Sequence, residues 1–264
     1  GGREGCLLRF LQARDADVKR ASQMIRDTAK WREENEVNSL TAMLPSDVRS
    51  QAMARMRAYW PGYCVGLSKD GSPMLYTKVN DVTPELFSFD EESLRLLYIG
   101  WMERSLQLQT MGHQQACQAR GCFGPETPVR LPQNIEVFDF AGISSWQLAR
   151  MAFMLVRSAT FLTIGVAHYP EHLRKCYIIN TPTIFSHVTN LVLKGLPSAT
   201  RCKMEVSCDG NHRAFGKFME PEQIEAMLRF SMHPAGNHAE AQAEVKGMMA
   251  SWKERRGLKR FAEL

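Results

Sequence analysis

The segment YPEHLRKCYIINTPTIF, residues 169–185, carries two different signals. Its centre, Cys176 to Asn180, is a short apolar run of the length that buried strands have. Together with the preceding His168, its first residues spell H-x-x-E-H, a pattern that one class of zinc peptidase uses. The acid of that pattern, Glu171, therefore either belongs to a metal site or serves another ligand beside the strand.

Two sets of residues contain side chains that can bind a metal ion, and neither set provides all the ligands that a metal site needs. In an H-x-x-E-H site the two histidines lie one turn apart on one continuous helix. Pro170 interrupts such a helix and suits the first position of a new one, which leaves His168 outside it. The second set, His113, Cys117 and Cys122, lacks a clear fourth ligand and matches no common zinc spacing. We therefore predict neither a metal site nor a cofactor.

From about residue 60 onward, strand-like and helix-like segments alternate along the chain. The strand-like segments are residues 63–68, 73–79, 135–140, 176–180 and 202–207. The helix-like segments are residues 88–109, 144–164, 182–197 and 221–230. This alternation favours an α/β fold with a mainly parallel sheet and helices packed on it. Residues 111–133 hold Gly, Pro and Gln without a clear period, and they predict a long loop.

Both ends of the chain are helical in pattern. Residues 4–35 place apolar side chains three and four positions apart, with Asp17 as a good helix N-cap, and a further helix is expected after Pro45. The tail, residues 239–264, is again helical and carries Lys and Arg near its end. The predicted organisation is thus a helical lobe over 1–59, an α/β domain over 60–238, and a basic amphipathic helix over 239–264.

Composition and charge narrow the class of protein. The chain has 264 residues, of which 44% are hydrophobic, and a net charge of +5. This mild excess suits an anionic ligand or a membrane surface, and no dense basic tract or motif indicates nucleic-acid binding. The seven cysteines are scattered through apolar segments, which indicates reduced thiols rather than a disulfide framework. Because no apolar run approaches the ~20 residues of a membrane span and no signal peptide is visible, we expect a cytoplasmic protein.

The chain contains no motif for covalent or phosphoryl chemistry: G-x-S-x-G, P-loop and G-x-G-x-x-G sequences are all missing. We therefore expect a protein that is not an enzyme. The helix over 182–197 combines a broad apolar face with a narrow polar stripe. Such a helix either packs on the core or acts as a movable lid over an apolar cavity. Its apolar positions include Ile184, Phe185, Val188, Leu191, Val192 and Leu196.

Five segments, taken together, resemble the CRAL-TRIO family of lipid-binding and lipid-transfer proteins. They are LLRFLQARDADVKRASQMIRDTAKWREE (7–34), GLSKDGSPMLYTKV (66–79), VFDFAGIS (137–144), YPEHLRKCYIINTPTIF (169–185) and LPSATRCKMEV (196–206). The resemblance spans roughly residues 5–230, and its strength lies in the fact that the pieces recur in family order. It implies a sheet floor with flanking helices around an apolar cavity, which a gate helix over 182–197 opens and closes.

The resemblance also implies a headgroup site. In family members that bind phosphatidylinositol, an Arg-Lys pair, the Glu of Tyr-Pro-Glu, a Thr and a Lys hold the headgroup. The matching positions here are Arg14, Glu171, Thr200 and Lys203. The Lys of the pair is replaced by Asp15, which reverses the charge beside an expected phosphate. On residue chemistry alone, the set is also compatible with an ion-pair network that positions the helical lobe.

By resemblance, the chain binds and transfers a phospholipid, phosphatidylinositol or a phosphoinositide, during transient contact with cytosolic membranes. Residues 134–137 read Asn-Ile-Glu-Val where members that also take phosphatidylcholine carry small hydroxyl residues, so exchange of the two lipids is not expected. Two alternatives stay open. One is a carrier of another hydrophobic molecule such as a retinoid, tocopherol or sterol. The other is a lipid-sensing regulatory or adaptor module that docks a protein through the 111–133 loop or the C-terminal helix.

Overall fold

The computed structural model describes residues 3–38, 60, 62–69, 71–83, 86, 91–119, 131–149, 159–183, 194, 198–210, 212–219, 221 and 224. The helices are α1 Arg3–Gln12, α2 Val18–Glu34, α3 Glu91–Ala119, α4 Ala159–His168, α5 Ser198–Arg201 and α6 His212–Phe215. The strands are β1 Gly62–Leu67, β2 Pro73–Lys78, β3 Asn134–Asp139, β4 Leu173–Ile179 and β5 Met204–Val206. Each predicted strand is confirmed to within a few residues.

The strands form one five-stranded sheet in the order β1-β2-β3-β4-β5. β1 pairs antiparallel with β2, and the other three pairings are parallel. The spatial order of the strands therefore follows their order along the chain. The mainly parallel α/β architecture predicted from the alternation of segments is therefore present.

The two faces of the sheet pack against different neighbours. On one face, here called the closed face, every side chain of a central cluster is at most 2% exposed. Its members are Met74, Tyr76, Ile135, Val137, Tyr177 and Ile179 of the strands, together with Phe215 and Met219. The opposite side, here called the helix face, contacts Leu94 and Leu97 of α3 and keeps half-buried side chains at Phe138, Leu173, Met204 and Val206. Accessible area thus remains on the helix face.

The helical lobe begins with α1 and α2, which pack through the buried side chains of Phe10, Ala21 and Met24. The side chain of Asp17 accepts a hydrogen bond from the backbone N–H of Arg20 at 3.0 Å, which confirms Asp17 as the N-cap of α2. A short polar residue that caps free N–H groups explains why the second helix starts there.

α2 docks onto the α/β domain through aromatic and charged contacts. Trp31 stacks on His168, with ring centroids 4.1 Å apart and planes 7° apart. The Arg32 guanidinium lies 2.6 Å and 3.2 Å from the two carboxylate oxygens of Glu103. The Tyr169 hydroxyl donates to Glu103 at 2.8 Å. These contacts fasten the lobe to α3 and to the turn that follows α4.

The predicted loop over 111–133 is wrong in its first part, because α3 continues to Ala119. Gly112 lies in this continuation of the helix. In the structure it serves close packing: a Cβ there would lie 2.5 Å from the carbonyl oxygen of Gly71 and 2.7 Å from Leu67 Cδ2. The helix passes the β1–β2 hairpin so closely that only a residue without a side chain fits.

The prediction that Pro170 starts a helix is also wrong. α4 ends at His168, and β4 begins at Leu173, so Tyr169-Pro170-Glu171 forms a turn between helix and strand. A proline just past a helix end cannot continue the ladder, because it lacks an N–H group. Glu171 then takes a left-handed conformation, φ 52°, which turns the chain toward β4.

The six predicted gate positions lie outside the described residues: Ile184, Phe185, Val188, Leu191, Val192 and Leu196. The helix expected after Pro45, the tail over 239–264 and Cys122 also lie outside them. The division at 59/60 and 238/239 stays a prediction. Among the helices that the structure describes, none is both long and apolar enough to cross a membrane.

Candidate functional site

The carboxylate of Glu171 is the centre of a cluster of polar side chains from distant parts of the chain. Its Oε2 atom accepts from Lys203 Nζ at 2.8 Å, from Gln133 Nε2 at 3.0 Å and from Gln12 Nε2 at 3.3 Å. The Lys203 and Glu171 side chains are 22% and 13% exposed, so their ion pair is largely shielded from water. α1, the segment before β3, the turn before β4 and the segment before β5 thus converge on one acid.

Lys203 reaches this cluster because α5 ends just before β5. Its backbone N–H donates to the carbonyl of Thr200 at 3.0 Å, and its own carbonyl accepts from the N–H of Cys176 at 2.8 Å. The first bond closes the last turn of α5, and the second fastens Lys203 to β4. Thr200 therefore lies on the turn that carries Lys203, while Lys203 itself is held against the sheet.

Arg14, a predicted headgroup residue, lies apart from the Glu171–Lys203 pair in the structure. It lies in the turn after α1, and its guanidinium donates to the carbonyl of Ala13 at 3.2 Å. No contact joins Arg14 to Glu171 or Lys203 within the described parts of the chain. Gln12, two residues earlier, makes the contact from the lobe instead.

Arg9 holds the turn at Glu171 in place through hydrogen bonds of its guanidinium group. Its guanidinium donates to the backbone carbonyl of Glu171 at 2.6 Å, to Gln109 Oε1 at 2.7 Å, and to the carbonyl of Pro132. Burial lowers the pKa of Arg9, although nearby negative charge opposes this effect. A guanidinium with several fixed donors suits such a position, because each N–H points at a separate acceptor. The lobe therefore determines the geometry of the turn on which the site depends.

A second layer of buried amides lies behind the turn. Gln109 Nε2 donates to Asn134 Oδ1 at 2.8 Å and to the carbonyl of His172 at 3.1 Å. Asn134 Nδ2 donates to Ser105 Oγ at 3.0 Å. These bonds link α3, the start of β3 and the start of β4. Among the described residues, each buried side-chain N or O atom of this layer lies within hydrogen-bond distance of another polar atom, which makes the layer a rigid base for Glu171.

The histidines of the H-x-x-E-H pattern are engaged in different places. His168 stacks on Trp31, and His172 is buried against Gln109 and Asn134, with its ring nitrogens 3.2 Å and 3.0 Å from their amide nitrogens. Burial lowers the pKa of His172 to about 3, and the charge of Arg9 adds to this effect. Throughout the described ranges, no three His, Cys, Asp or Glu side chains form a group that could hold a metal ion.

The sequence did not mark the glutamine side chains of the site. Gln12, Gln133 and Gln109 carry no charge, and none belongs to a motif with a mechanism of its own. Gln12 sits inside the LLRFLQAR segment, and Gln133 sits directly before a predicted strand. Their convergence on Glu171 depends on the left-handed turn and on lobe docking, which no local pattern reveals.

A family model for the CRAL/TRIO domain matches residues 57–228 of this chain. The match covers more than half of the sequence, and it includes the whole sheet and the Glu171–Lys203 pair. The chain therefore belongs to the CRAL/TRIO family. The expected family membership and fold are confirmed.

Curated relatives share the same region. A phosphatidylinositol/phosphatidylcholine transfer protein, SFH9 of Arabidopsis thaliana, is 24% identical over 226 residues, which is 84% of this chain and 36% of the relative. The SEC14 cytosolic factor of Eremothecium gossypii is 28% identical over 205 residues, 76% of this chain and 60% of the relative. The chain thus spans less than two thirds of the length of either protein.

A solved structure has the same fold. The crystal structure of Sfh5 superposes with a TM-score of 0.51 at 16% identity, over 82% of this chain and 67% of that one. At this identity the likeness supports the arrangement of sheet and helices alone.

Proposed function

We propose that this chain binds phosphatidylinositol or a phosphoinositide and transfers it between membranes without making or breaking a bond. The observation that carries the proposal is the shielded Glu171–Lys203 pair, with Gln12 and Gln133 on the same carboxylate oxygen. Lysine and amide N–H groups can donate to a phosphate, while a carboxylate and amide oxygens can accept from inositol hydroxyls. The relative named as a phosphatidylinositol/phosphatidylcholine transfer protein supports this choice of ligand.

In the structure Lys203 and Glu171 bind each other. A headgroup that binds either side chain therefore has to displace the other one. A phosphate that takes Lys203 replaces one charge-assisted bond with another, and inositol hydroxyls then satisfy Glu171. Such an exchange leaves each buried charge with a hydrogen-bonding partner, which avoids the cost of an isolated, unsolvated ion. The acyl chains would lie against the helix face, where Phe138, Met204 and Val206 keep accessible apolar area. We further propose that the protein acts peripherally, at the cytosolic surface of membranes.

The test is transfer of phosphatidylinositol between vesicles by the purified full chain. Lys203→Ala and Glu171→Gln each remove a charge-assisted contact, and we expect transfer to fall about tenfold or more. Lys175→Ala is the matched control, because Lys175 forms a similar ion pair, with Glu205 at 3.3 Å, on the closed face. It should leave transfer within about twofold of the wild type.

A purely structural role of the pair predicts a different result. The helical lobe reaches Glu171 through Arg9 and Gln12, so the pair also contributes to docking of the lobe. In that case both variants would lower the midpoint of thermal unfolding, and transfer of all lipids would fall in parallel. Selective loss of phosphatidylinositol at an unchanged midpoint supports headgroup binding, and absence of transfer by the wild type would contradict the proposal.

A further inference from the structure

Two of the side chains that contact the Glu171 carboxylate are uncharged amides. Gln12 of α1 and Gln133 of the segment before β3 place their Nε2 atoms 3.3 Å and 3.0 Å from Glu171 Oε2. Gln12 is exposed and Gln133 is half-buried, so neither amide belongs to the buried layer behind the turn. A headgroup that reaches Glu171 and Lys203 therefore lies beside both amides.

The charged groups at this cluster nearly cancel. Lys203 Nζ lies 2.8 Å from the Glu171 carboxylate, and the Arg9 guanidinium donates to the backbone carbonyl of the same residue at 2.6 Å. Within the described ranges, no third cationic side chain contacts Glu171. His172 stays neutral, because burial lowers the pKa of its imidazole to about 3. Two cations and one carboxylate leave an excess of one positive charge, which matches the charge of a single phosphodiester.

The turn after α1 does not add to this excess. The guanidinium of Arg14 donates to the carbonyl of Ala13 at 3.2 Å. The next residue, Asp15, is an exposed acid, and its backbone N–H donates to the carbonyl of Gln12 at 3.2 Å. The opposite charges of Arg14 and Asp15 therefore compensate each other beside the site. Arg201 of α5 is exposed, so water and salt weaken its attraction for a ligand.

We propose that Gln12 and Gln133 determine which headgroup this site accepts, because uncharged amides keep the positive charge of the site low. The site then accepts a headgroup with hydroxyl groups and one phosphodiester, and it discriminates against a headgroup with a further phosphate monoester. The inference rests on the proposed function and narrows its ligand to phosphatidylinositol itself. Phosphatidylinositol phosphates are expected to bind weakly.

The chemistry of the amide explains this selection. A hydroxyl group donates and accepts hydrogen bonds, and a glutamine side chain offers it both donors and an acceptor. A phosphate monoester carries about −1.5 to −2 charges at pH 7, and cations hold it more strongly than amides do, because their hydrogen bonds are charge-assisted. A monoester in place of an inositol hydroxyl also brings this charge near the Glu171 carboxylate. Like charges repel each other more strongly at a shielded site than in water.

The experiment compares lipids that differ in one phosphate. Dioleoyl phosphatidylinositol and its 3-, 4- and 5-monophosphates are supplied separately in phosphatidylcholine vesicles. After separation from the vesicles, native mass spectrometry measures the fraction of the full chain that carries each lipid. We expect the wild type to prefer phosphatidylinositol about tenfold over each monophosphate, because the additional charge meets the carboxylate and finds no additional cation.

Two variants add a positive charge at the amides themselves. Gln12→Lys and Gln133→Lys should each reduce the preference to about threefold or less for at least one monophosphate. Gln23→Lys is the matched control, because it adds the same charge to an exposed part of the lobe, where Gln23 contacts Asp27 at 2.8 Å. It should keep the preference of the wild type. Circular dichroism and the midpoint of thermal unfolding check that each variant is folded, and either lysine variant suffices for the test.

Three results overturn the inference and leave the proposed function intact. In the first, the wild type carries a monophosphate as well as it carries phosphatidylinositol. In the second, the preference is unchanged in the folded lysine variants, which would show that size and not charge excludes the additional phosphate. In the third, Gln23→Lys lowers the preference equally, which would show that the added charge acts through general attraction to the vesicle surface.

Failure of the proposed function has a different signature. A wild type that carries neither phosphatidylinositol nor any of its monophosphates contradicts headgroup binding itself, and the inference fails together with it. The four lipids in one assay therefore distinguish a wrong ligand class from a wrong account of its selection.

Discussion

His172 is held as a neutral imidazole behind the Glu171 turn. Its two ring nitrogens face the amide nitrogens of Gln109 and Asn134, at 3.2 Å and 3.0 Å. A neutral ring has an N–H on one nitrogen and so faces an amide donor with it on one side, whereas a protonated ring would do so on both sides. This geometry agrees with a pKa lowered to about 3 by burial. The buried amides of Gln109 and Asn134 therefore oppose protonation of His172.

The consequence is a loss of stability in acid. The folded pKa of about 3 lies below the ordinary 6.5, so the unfolded chain binds more protons than the folded chain between these values. Stability from this group is complete above pH 6.5 and falls by up to about 1.4 kcal/mol per pH unit below it. We expect the difference in unfolding free energy between the wild type and His172→Gln to narrow at that rate from pH 6.5 to pH 5. Urea unfolding at several pH values measures it.

The same comparison contains its own control. Between pH 7 and pH 8 both the imidazole and the glutamine are neutral, so the difference should stay constant there. A difference that also stays constant below pH 6.5 would show that His172 is protonated in the folded protein and that the neutral assignment is wrong.

The family pattern marked Glu171 and Lys203, but it marked neither Arg9 nor the amides that bind the same turn. Glu171 and Lys203 lie in segments that match a family pattern, and the structure brings them to 2.8 Å. Gln12 and Gln133 reach the same oxygen, yet an amide in a sequence indicates no partner. Arg14 matches the pattern but does not contact the pair, because the turn after α1 directs its guanidinium to the carbonyl of Ala13.

At the scale of elements, α3 shows how packing overrides local propensity. The helix runs for 29 residues through Gly100 and Gly112, although glycine weakens helices. The two glycines have opposite surroundings: nothing lies within 4 Å of a Cβ at Gly100, whereas a Cβ at Gly112 would meet the carbonyl oxygen of Gly71 at 2.5 Å. Only Gly112 is required by the contact with the hairpin.

This contrast predicts opposite effects of the same substitution. Gly112→Ala forces α3 away from the backbone of the β1–β2 hairpin, and we expect the unfolding free energy to fall by about 1–3 kcal/mol. Gly100→Ala adds a methyl group in open space and removes backbone freedom from the unfolded chain, so it should raise stability by up to about 1 kcal/mol. Urea unfolding of both variants tests this. A shift of both in the same direction would contradict the close approach at Gly112.

Strands were easier to predict than helix ends. The segments YCVGLS, IEVFDF and CYIIN combine β-branched, aromatic and apolar residues in short runs. A strand that is buried between two layers needs such a run whatever the neighbouring segments are, so the pattern can be recognised locally. A helix end depends on what the next segments do. α3 continues past Gly112 because the hairpin lies beside it, and α4 stops at His168 because Glu171 turns the chain into β4. Neither cause is local in sequence.

At the scale of the whole molecule, the helical lobe and the sheet share one site. Arg9 and Gln12 of α1 hold Glu171, and Trp31 and Arg32 of α2 contact the end of α4 and α3. A ligand that draws Lys203 away from Glu171 therefore alters a carboxylate that the lobe also holds. Docking of the lobe and occupancy of the site are expected to be linked for this reason.

The Arg32–Glu103 pair is the contact that tests this docking. Its side chains are 25% and 12% exposed, and the Tyr169 hydroxyl binds the same carboxylate at 2.8 Å. A shielded pair with fixed geometry should contribute a coupling free energy of about 1–2 kcal/mol in a cycle of Arg32→Ala, Glu103→Ala and the double variant, measured by urea unfolding. The coupling should also appear as faster amide exchange in α2 of each single variant.

Lys30 and Glu34 form the matched control on the same helix. They lie 3.7 Å apart with 76% and 59% of their side chains exposed, so water and salt screen the pair. The corresponding cycle should give less than about 0.5 kcal/mol. Equal couplings in the two cycles would show that Arg32 and Glu103 meet as an ordinary surface pair. If the coupling is larger for Arg32–Glu103 and disappears in a Tyr169→Phe background, the three side chains act as one network in docking the lobe.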